Sequence, residues 1–250
     1  MQAMIFAAGL GTRLAPLTDN KPKALVEFQG KPMIENVIEK LVKAGFNRII
    51  VNVHHFADMV CDFLKSKNFG AEILISDERD FLLDTGGGLL KARPLLENAP
   101  HTLLYNVDVF STIDVKDLYD CHVKKGALAT LAVKQRETNR KFVFTNFDEL
   151  CGWVNTKTGE EVVARSYAED YAYKIPFCGI SVVSSKIFPL ITETGKFSIK
   201  DLYLRLAEHN RIIPYLCSSS VLWADLGTPE KINAISEILA HNRNLLNVEH

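Results

Sequence analysis

Apolar runs of strand length alternate with amphipathic helical patterns through the first half of this 250-residue chain, and that rhythm restricts the fold more than any other feature. Strand-like runs fall at 2–8, 48–53 (RIIVNV), 71–76 (AEILIS), 102–107 (TLLYNV) and 127–134. Helical periodicity separates them at about 32–45, 56–67, 87–97 and 114–125, the last opened by Asp114. Such β-α-β alternation predicts an α/β fold with a doubly wound, mostly parallel sheet, whose ligand site lies beyond the carboxyl ends of the strands. From about 140 the rhythm changes. KFVFTNF, GWVNT, a Lys157-Thr158-Gly159 turn and EEVVA read as an antiparallel hairpin insertion. A strand at 175–183, helices at 184–193 and 198–209, a strand at 212–217 and one ending at Trp223 follow. A helix at about 229–245, begun by Thr228-Pro229-Glu230, closes the chain. With no low-complexity linker and no internal repeat, residues 1–250 read as one domain in two parts, 1–135 and 136–250.

The first strand runs into FAAGLGTRLAPLTDNKPKAL, residues 6–25. A dinucleotide fingerprint would need a third glycine where Leu14 stands, and no glycine-lysine-hydroxyl run makes a P-loop. What remains is permissive backbone followed by Arg13, Lys21, Lys23 and Lys31 against only Asp19 and Glu27. Glycine N–H groups beside a local positive excess suit a polyphosphate. The excess is local, because the formal net charge is −1; no global field favours nucleic acid or an acidic membrane. No stretch approaches the ~18 apolar residues of a membrane span, and no signal peptide is evident. Five scattered cysteines without a C-x-x-C point to reduced thiols in a cytoplasmic protein.

Two aspartates sit where ligands of an α/β sheet gather. Asp108 follows TLLYNV, and Asp225 follows VLWA ahead of Leu226-Gly227-Thr228. A hard cation such as Mg2+ takes one or two carboxylates together with substrate phosphates, although Asp225 could equally cap the helix behind it. Asp84-Thr85-Gly86-Gly87-Gly88 opens a helix, and glycines there would let a flat group approach the backbone.

These residues carry a resemblance. A-A-G-x-G-T-R-L-x-P-L-T-x-x-x-P-K at 7–23 resembles the signature of the sugar-1-phosphate nucleotidylyltransferases, the nucleotide-sugar pyrophosphorylases. The likeness extends through Gly30-Lys31-Pro32, DTGGG at 84–88, Asn106 and Asp108, FCGISV at 177–182 and W-x-D-x-G-T at 223–228. Within that family the short length, T-G-G-G and F-x-G-I-S-V look most like a uridylyltransferase.

The resemblance implies a Rossmann-like, GT-A-like nucleotidyltransferase fold with the sugar site in 136–250. It implies coupling of an NTP, UTP by subtype, with a sugar 1-phosphate to give an NDP-sugar and pyrophosphate. By the same likeness, backbone at Ala7, Ala8 and Gly9 meets the nucleoside, with Thr85, Gly86 and Gly87. Gly11, Thr12 and Arg13 hold the triphosphate, and Arg13 stabilises the leaving pyrophosphate. Lys23 neutralises the α-phosphate and the sugar phosphate, Asn106 and Gly179 meet the sugar phosphate, and Asp108 and Asp225 hold Mg2+. The nucleophile is already an anionic phosphate oxygen, so alignment and charge neutralisation suffice without a general base.

Two departures matter. Val107 stands between Asn106 and Asp108 where relatives often have glycine, and no Glu-Lys-Pro element contacts the sugar phosphate, leaving Arg165 or Lys174 as substitutes. The residue that reads the base is sought near Ser76–Asp84. Alternatives are a cytidylyltransferase acting on a phosphate such as phosphocholine, or an inactive nucleotide-sugar-binding subunit. The partners expected are the two substrates, in a monomer or small homo-oligomer.

Overall fold

The computed structural model describes residues 1–241. Seven strands form the central sheet: β1 (Gln2–Phe6), β2 (Arg48–Val53), β3 (Glu72–Asp77), β4 (His101–Asn106), β5 (Ala129–Val133), β6 (Phe177–Ser184) and β7 (Ile212–Leu216). Their order across the sheet is β7-β5-β6-β4-β1-β2-β3. All neighbours pair parallel except β6, which runs antiparallel to both β4 and β5. The expected mostly parallel sheet is present, and its order reverses at β1, between β2 and β4. That is where an open α/β sheet leaves a crevice.

Helices cover both faces. On one lie α1 (Met33–Lys43), α2 (Ala57–Lys65), α4 (Val115–Lys125) and α6 (Pro229–His241); on the other, α3 (Asp84–Lys91) and α5 (Ile199–Ala207). Strand alternation assigns each core: Ala3 and Ile5 of β1 face the first group, Met4 the second. Helix α1 shows how the sequence builds such a layer, burying Met33, Ile34, Val37, Ile38 and Leu41 along one stripe. Residues 242–245, the last turn of the predicted closing helix, lie outside the described residues.

The insertion is a four-stranded antiparallel sheet of Glu160–Val163, Leu150–Asn155, Arg140–Thr145 and Ala172–Ile175, in that order. The run read as one strand at 175–183 is two. Ala172–Ile175 joins the insertion, Phe177–Ser184 joins the central sheet, and Pro176 separates them. The segment 184–193 forms a 3-10 helix, Ser185–Leu190, with Pro189 inside it. The last short strand begins at Trp223 rather than ending there, and pairs as Trp223–Asp225 with Val109–Ser111 in a separate antiparallel ribbon.

One buried histidine couples this scaffold to pH. His122 of α4 is fully buried, with Nδ1 against Thr130 Oγ1 at 2.9 Å and Nε2 against His101 Nδ1 at 3.1 Å. Burial, reinforced by the neighbouring His101, pushes its pKa down from 6.5 to about 4. The unfolded chain therefore binds the proton that the folded chain refuses. Stability falls as pH drops below 6.5 and levels off below about 4, a loss of about 3 kcal/mol. Urea midpoints at pH 7, 5.5 and 4 should show this decline, and His122→Gln should flatten it. An unchanged slope in the variant would assign the acid sensitivity elsewhere.

Candidate functional site

The crevice at the reversal of strand order is a cleft of about 350 Å3. It is lined by Phe6, Ala8 and Gly9 from the end of β1, by Asn106, Val107 and Asp108 beyond β4, by Asn52, Lys23 and Lys196, and by Leu82, Asp84 and Thr85 at the start of α3. A larger groove of about 710 Å3, between α1 and the Val109–Ser111 ribbon, holds neither Lys23 nor Asp108. The smaller cleft is the one that holds the Lys23–Asp108 pair, together with Asp84 and Lys196.

The wall formed by the loop after β1 is shaped by close approach. Gly11 has φ +69°, and a Cβ there would stand 2.9 Å from Lys23 Cβ and 3.0 Å from Thr18 Cγ2. Only glycine allows the turn and the packing of the Lys23 segment against it. Lys23 Nζ in turn binds Asp108 Oδ2, both side chains being mostly buried. Gly9 differs: a Cβ there would meet nothing within 4 Å, so protein packing does not demand that glycine. Thr12 and Arg13 are exposed in a short 3-10 helix, Thr12–Leu14, outside the lining of the cleft.

The second aspartate adjoins the first through the ribbon but is not among the residues that line the cleft. Asp225 pairs with Val109, and the Leu226 N–H donates to the Asp108 carbonyl at 2.7 Å. The two acidic residues are thus backbone neighbours. They do not, as expected, end two parallel strands: Asp108 sits in a turn after β4, and Asp225 ends an antiparallel pair. Asp225 Oδ1 accepts the Gly227 N–H at 2.8 Å, and Oδ2 accepts from Lys231 Nζ at 2.7 Å. Burial pushes this carboxyl up, but Lys231, the Gly227 N–H and the Arg13 guanidinium outweigh it and hold the group below the usual carboxylate range. A Cβ on Gly227 would stand 2.6 Å from Asp225 Oδ1 and 2.8 Å from an Arg13 guanidinium nitrogen. The glycine lets the Arg13 loop close over the Asp225 turn. Thr228, not Asp225, caps α6, its Oγ1 receiving the Lys231 N–H at 3.4 Å.

Asp108 and Asp225 offer hard oxygen ligands on adjoining backbone, each holding a lysine as counter-charge. That donor set fits Mg2+, which completes its shell with phosphate oxygens and water. Among the described residues no group of three or more His, Cys, Asp or Glu side chains is placed to hold a metal ion.

Other assignments change. Ala7 is buried and its N–H donates to Asn52 Oδ1 at 2.7 Å, while Asn52 Nδ2 donates to Glu78 Oε1 at 2.8 Å. Ala7 therefore anchors the loop internally, leaving Ala8 and Gly9 to line the cleft. Burial pushes the Glu78 carboxyl up, against the lowering hydrogen bond from Asn52. Gly86 and Gly87 do not open their backbone to a flat ligand. Their N–H groups donate to the Phe197 carbonyl at 2.9 and 3.2 Å, and Cβ atoms there would stand 2.4 Å from the Phe197 ring and 2.3 Å from the Gly195 carbonyl oxygen. Thr85 alone of the three lines the cleft. Gly179 has φ +73° at the irregularity in β6 and backs Asn106, whose Nδ2 would lie 2.9 Å from a Cβ. Val107 is 3% exposed and belongs to the core, so its side chain is spent mainly on packing. Arg165 is engaged by Glu149 and by the Ala207 carbonyl at 2.9 Å, and Lys174 lies in the insertion sheet. Neither lines the cleft. Asn52 and Lys196 were not singled out in the sequence, because each reaches the site through contacts distant along the chain; Lys231 was missed because nothing local marks its pairing with Asp225, six residues earlier.

The nucleotidyl transferase family model matches residues 2–164. A 109-residue stretch, 42% of this chain, is 47% identical to the N-acetylmuramate alpha-1-phosphate uridylyltransferase of Caulobacter vibrioides, covering 45% of that protein. Over 233 residues, 92% of this chain, it is 37% identical to mannose-1-phosphate guanyltransferase beta-B of Xenopus laevis, covering 62% of that protein. The chain thus spans less than two thirds of either relative. The crystal structure of HddC from Yersinia pseudotuberculosis superposes with a TM-score of 0.75 at 22% identity, over 95% of this chain and 99% of that one. That agreement is one of fold.

Proposed function

Because the chain belongs to the nucleotidyl transferase family, we propose that it joins a nucleoside triphosphate to a sugar 1-phosphate, forming an NDP-sugar and releasing pyrophosphate. The observation that carries this reading is the Lys23–Asp108 pair, held at the carboxyl edge of the sheet in a cleft floored by Ala8, Gly9 and Asn106. A phosphate oxygen of the sugar 1-phosphate attacks the α-phosphorus in line, and the bond from that phosphorus to the β-bridging oxygen breaks. Lys23 neutralises the phosphates that meet there, and the exposed Arg13 takes the charge appearing on pyrophosphate. Asp108 and Asp225 would hold Mg2+, which when bound offsets phosphate charge.

UTP is the donor favoured by the likeness to a uridylyltransferase. The likeness to mannose-1-phosphate guanyltransferases makes GTP the second. A panel of UTP, GTP, CTP and dTTP against sugar 1-phosphates, with pyrophosphate release as readout, tests both points. Release should require both substrates and favour one base. Release with phosphocholine but with no sugar 1-phosphate would replace the reading with a non-sugar cytidylyltransferase, and binding without turnover would leave a nucleotide-sugar-binding protein.

A further inference from the structure

The glycines of DTGGG serve the chain rather than a nucleotide, and what they hold in place points to a further substrate-binding residue. Residues 195–199 are fastened along the first turn of α3. Gly86 and Gly87 donate to the Phe197 carbonyl, the Phe197 N–H donates to the Leu83 carbonyl at 3.2 Å, and the Ile199 N–H donates to Thr85 Oγ1 at 3.0 Å. The Gly87 face sits against the Gly195 carbonyl and the Gly86 face against the Phe197 ring, at separations no Cβ would permit. Gly195 turns the loop with φ +70°. Residue 196 is thereby fixed where its side chain lines the cleft that also holds Lys23, Asn106 and Asp108.

That side chain is a lysine. Lys23 is bound to Asp108, whereas among the described residues no carboxylate forms an ion pair with Lys196. The proposed reaction brings a dianionic sugar phosphate against an already anionic α-phosphate, and their mutual repulsion needs more than one cation. The two basic candidates from the insertion cannot supply it, since Arg165 is committed to Glu149 and Lys174 is absent from the lining. We propose that Lys196 binds the phosphate of the incoming sugar 1-phosphate, and that the glycine lock on α3 exists to present it. A flexible ammonium with three donors on a fixed loop suits a phosphate whose position shifts during in-line attack.

This inference rests on the sugar-1-phosphate reading, and the test separates the two. If the unaltered protein turns over no sugar 1-phosphate, the reading itself has failed. If it does, Lys196→Ala should raise KM for the sugar 1-phosphate at least tenfold while KM for the triphosphate stays within twofold and Tm is unchanged. Lys196→Arg should recover part of the loss. Gly87→Ala, which forces the loop off α3, should reproduce the KM change and also lower Tm. Calorimetric titration of sugar 1-phosphate into unaltered and Lys196→Ala protein gives a readout independent of turnover, with weaker binding expected in the variant. An unchanged sugar-phosphate KM and binding constant in Lys196→Ala, or a rise confined to the triphosphate KM, would overturn the assignment.

Discussion

Asp108→Asn and Asp225→Asn each lower kcat by roughly a thousandfold and raise the Mg2+ concentration needed for half-maximal rate, and the double variant falls little further. The reason is shared work. The two residues adjoin through the Leu226 N–H to the Asp108 carbonyl, and under the proposed function both carboxylates would serve one cation, so losing either would remove half of a set that works only together. Folding responds differently to the two changes. Asp108 and Lys23 are 17% and 13% exposed, and removing one charge there strands the other in a poorly hydrated place. Asp225 and Lys231 are 26% and 49% exposed, so that pair is screened and contributes little to stability. Tm should therefore fall by several degrees in Asp108→Asn and barely move in Asp225→Asn. Additive losses in the double variant would mean that the two residues do not serve one cation.

Lys23→Ala is the second large effect, a fall in kcat of at least a hundredfold. Its informative feature is a divergence between turnover and cation binding. In the free protein Lys23 occupies Asp108, so under the proposed function Mg2+ would have to displace an ammonium to reach that oxygen. Removing Lys23 takes away the competitor. Mg2+ binding measured without nucleotide should tighten in Lys23→Ala while catalysis is lost, because the α-phosphate and sugar phosphate lose their neutralising group. Lys23→Arg should not restore the rate, since a planar guanidinium fork presents its donors differently from the compact ammonium that meets Asp108. Full activity of Lys23→Ala would remove this lysine from the mechanism.

Local pattern made the scaffold legible. Strand runs such as RIIVNV carry their own signal, and the predicted span 48–53 coincides with Arg48–Val53. Asp114 and Gly126 mark the ends of α4 by cap chemistry: the Asp114 carboxylate receives the N–H groups of Lys116 and Asp117, and Gly126 takes φ +59°. The turn after β1 was equally readable in conformation, since Gly11 takes φ +69° where the sequence places permissive backbone. Features made by contacts that no local periodicity encodes were not. DTGGG reads as a ligand-facing helix entry until the loop at 195–197 is seen filling the space its missing side chains leave. Lys231 looks like an ordinary residue of the first helical turn, yet it neutralises Asp225. Asn52 sits mid-strand with nothing in its neighbours to say that it accepts the Ala7 N–H and donates to Glu78. The switch of sheets at Pro176 was masked by apolar residues on both sides, which suit either sheet.

The central claim is that the sugar phosphate's own oxygen forms the new bond to the α-phosphorus. It is tested most directly by following 32P from a labelled sugar 1-phosphate, chosen from the panel, in the presence of the preferred triphosphate. The account predicts label in the NDP-sugar, one labelled phosphorus per molecule of unlabelled pyrophosphate released. Label in inorganic phosphate, or pyrophosphate released with all label left in the sugar 1-phosphate, would contradict it.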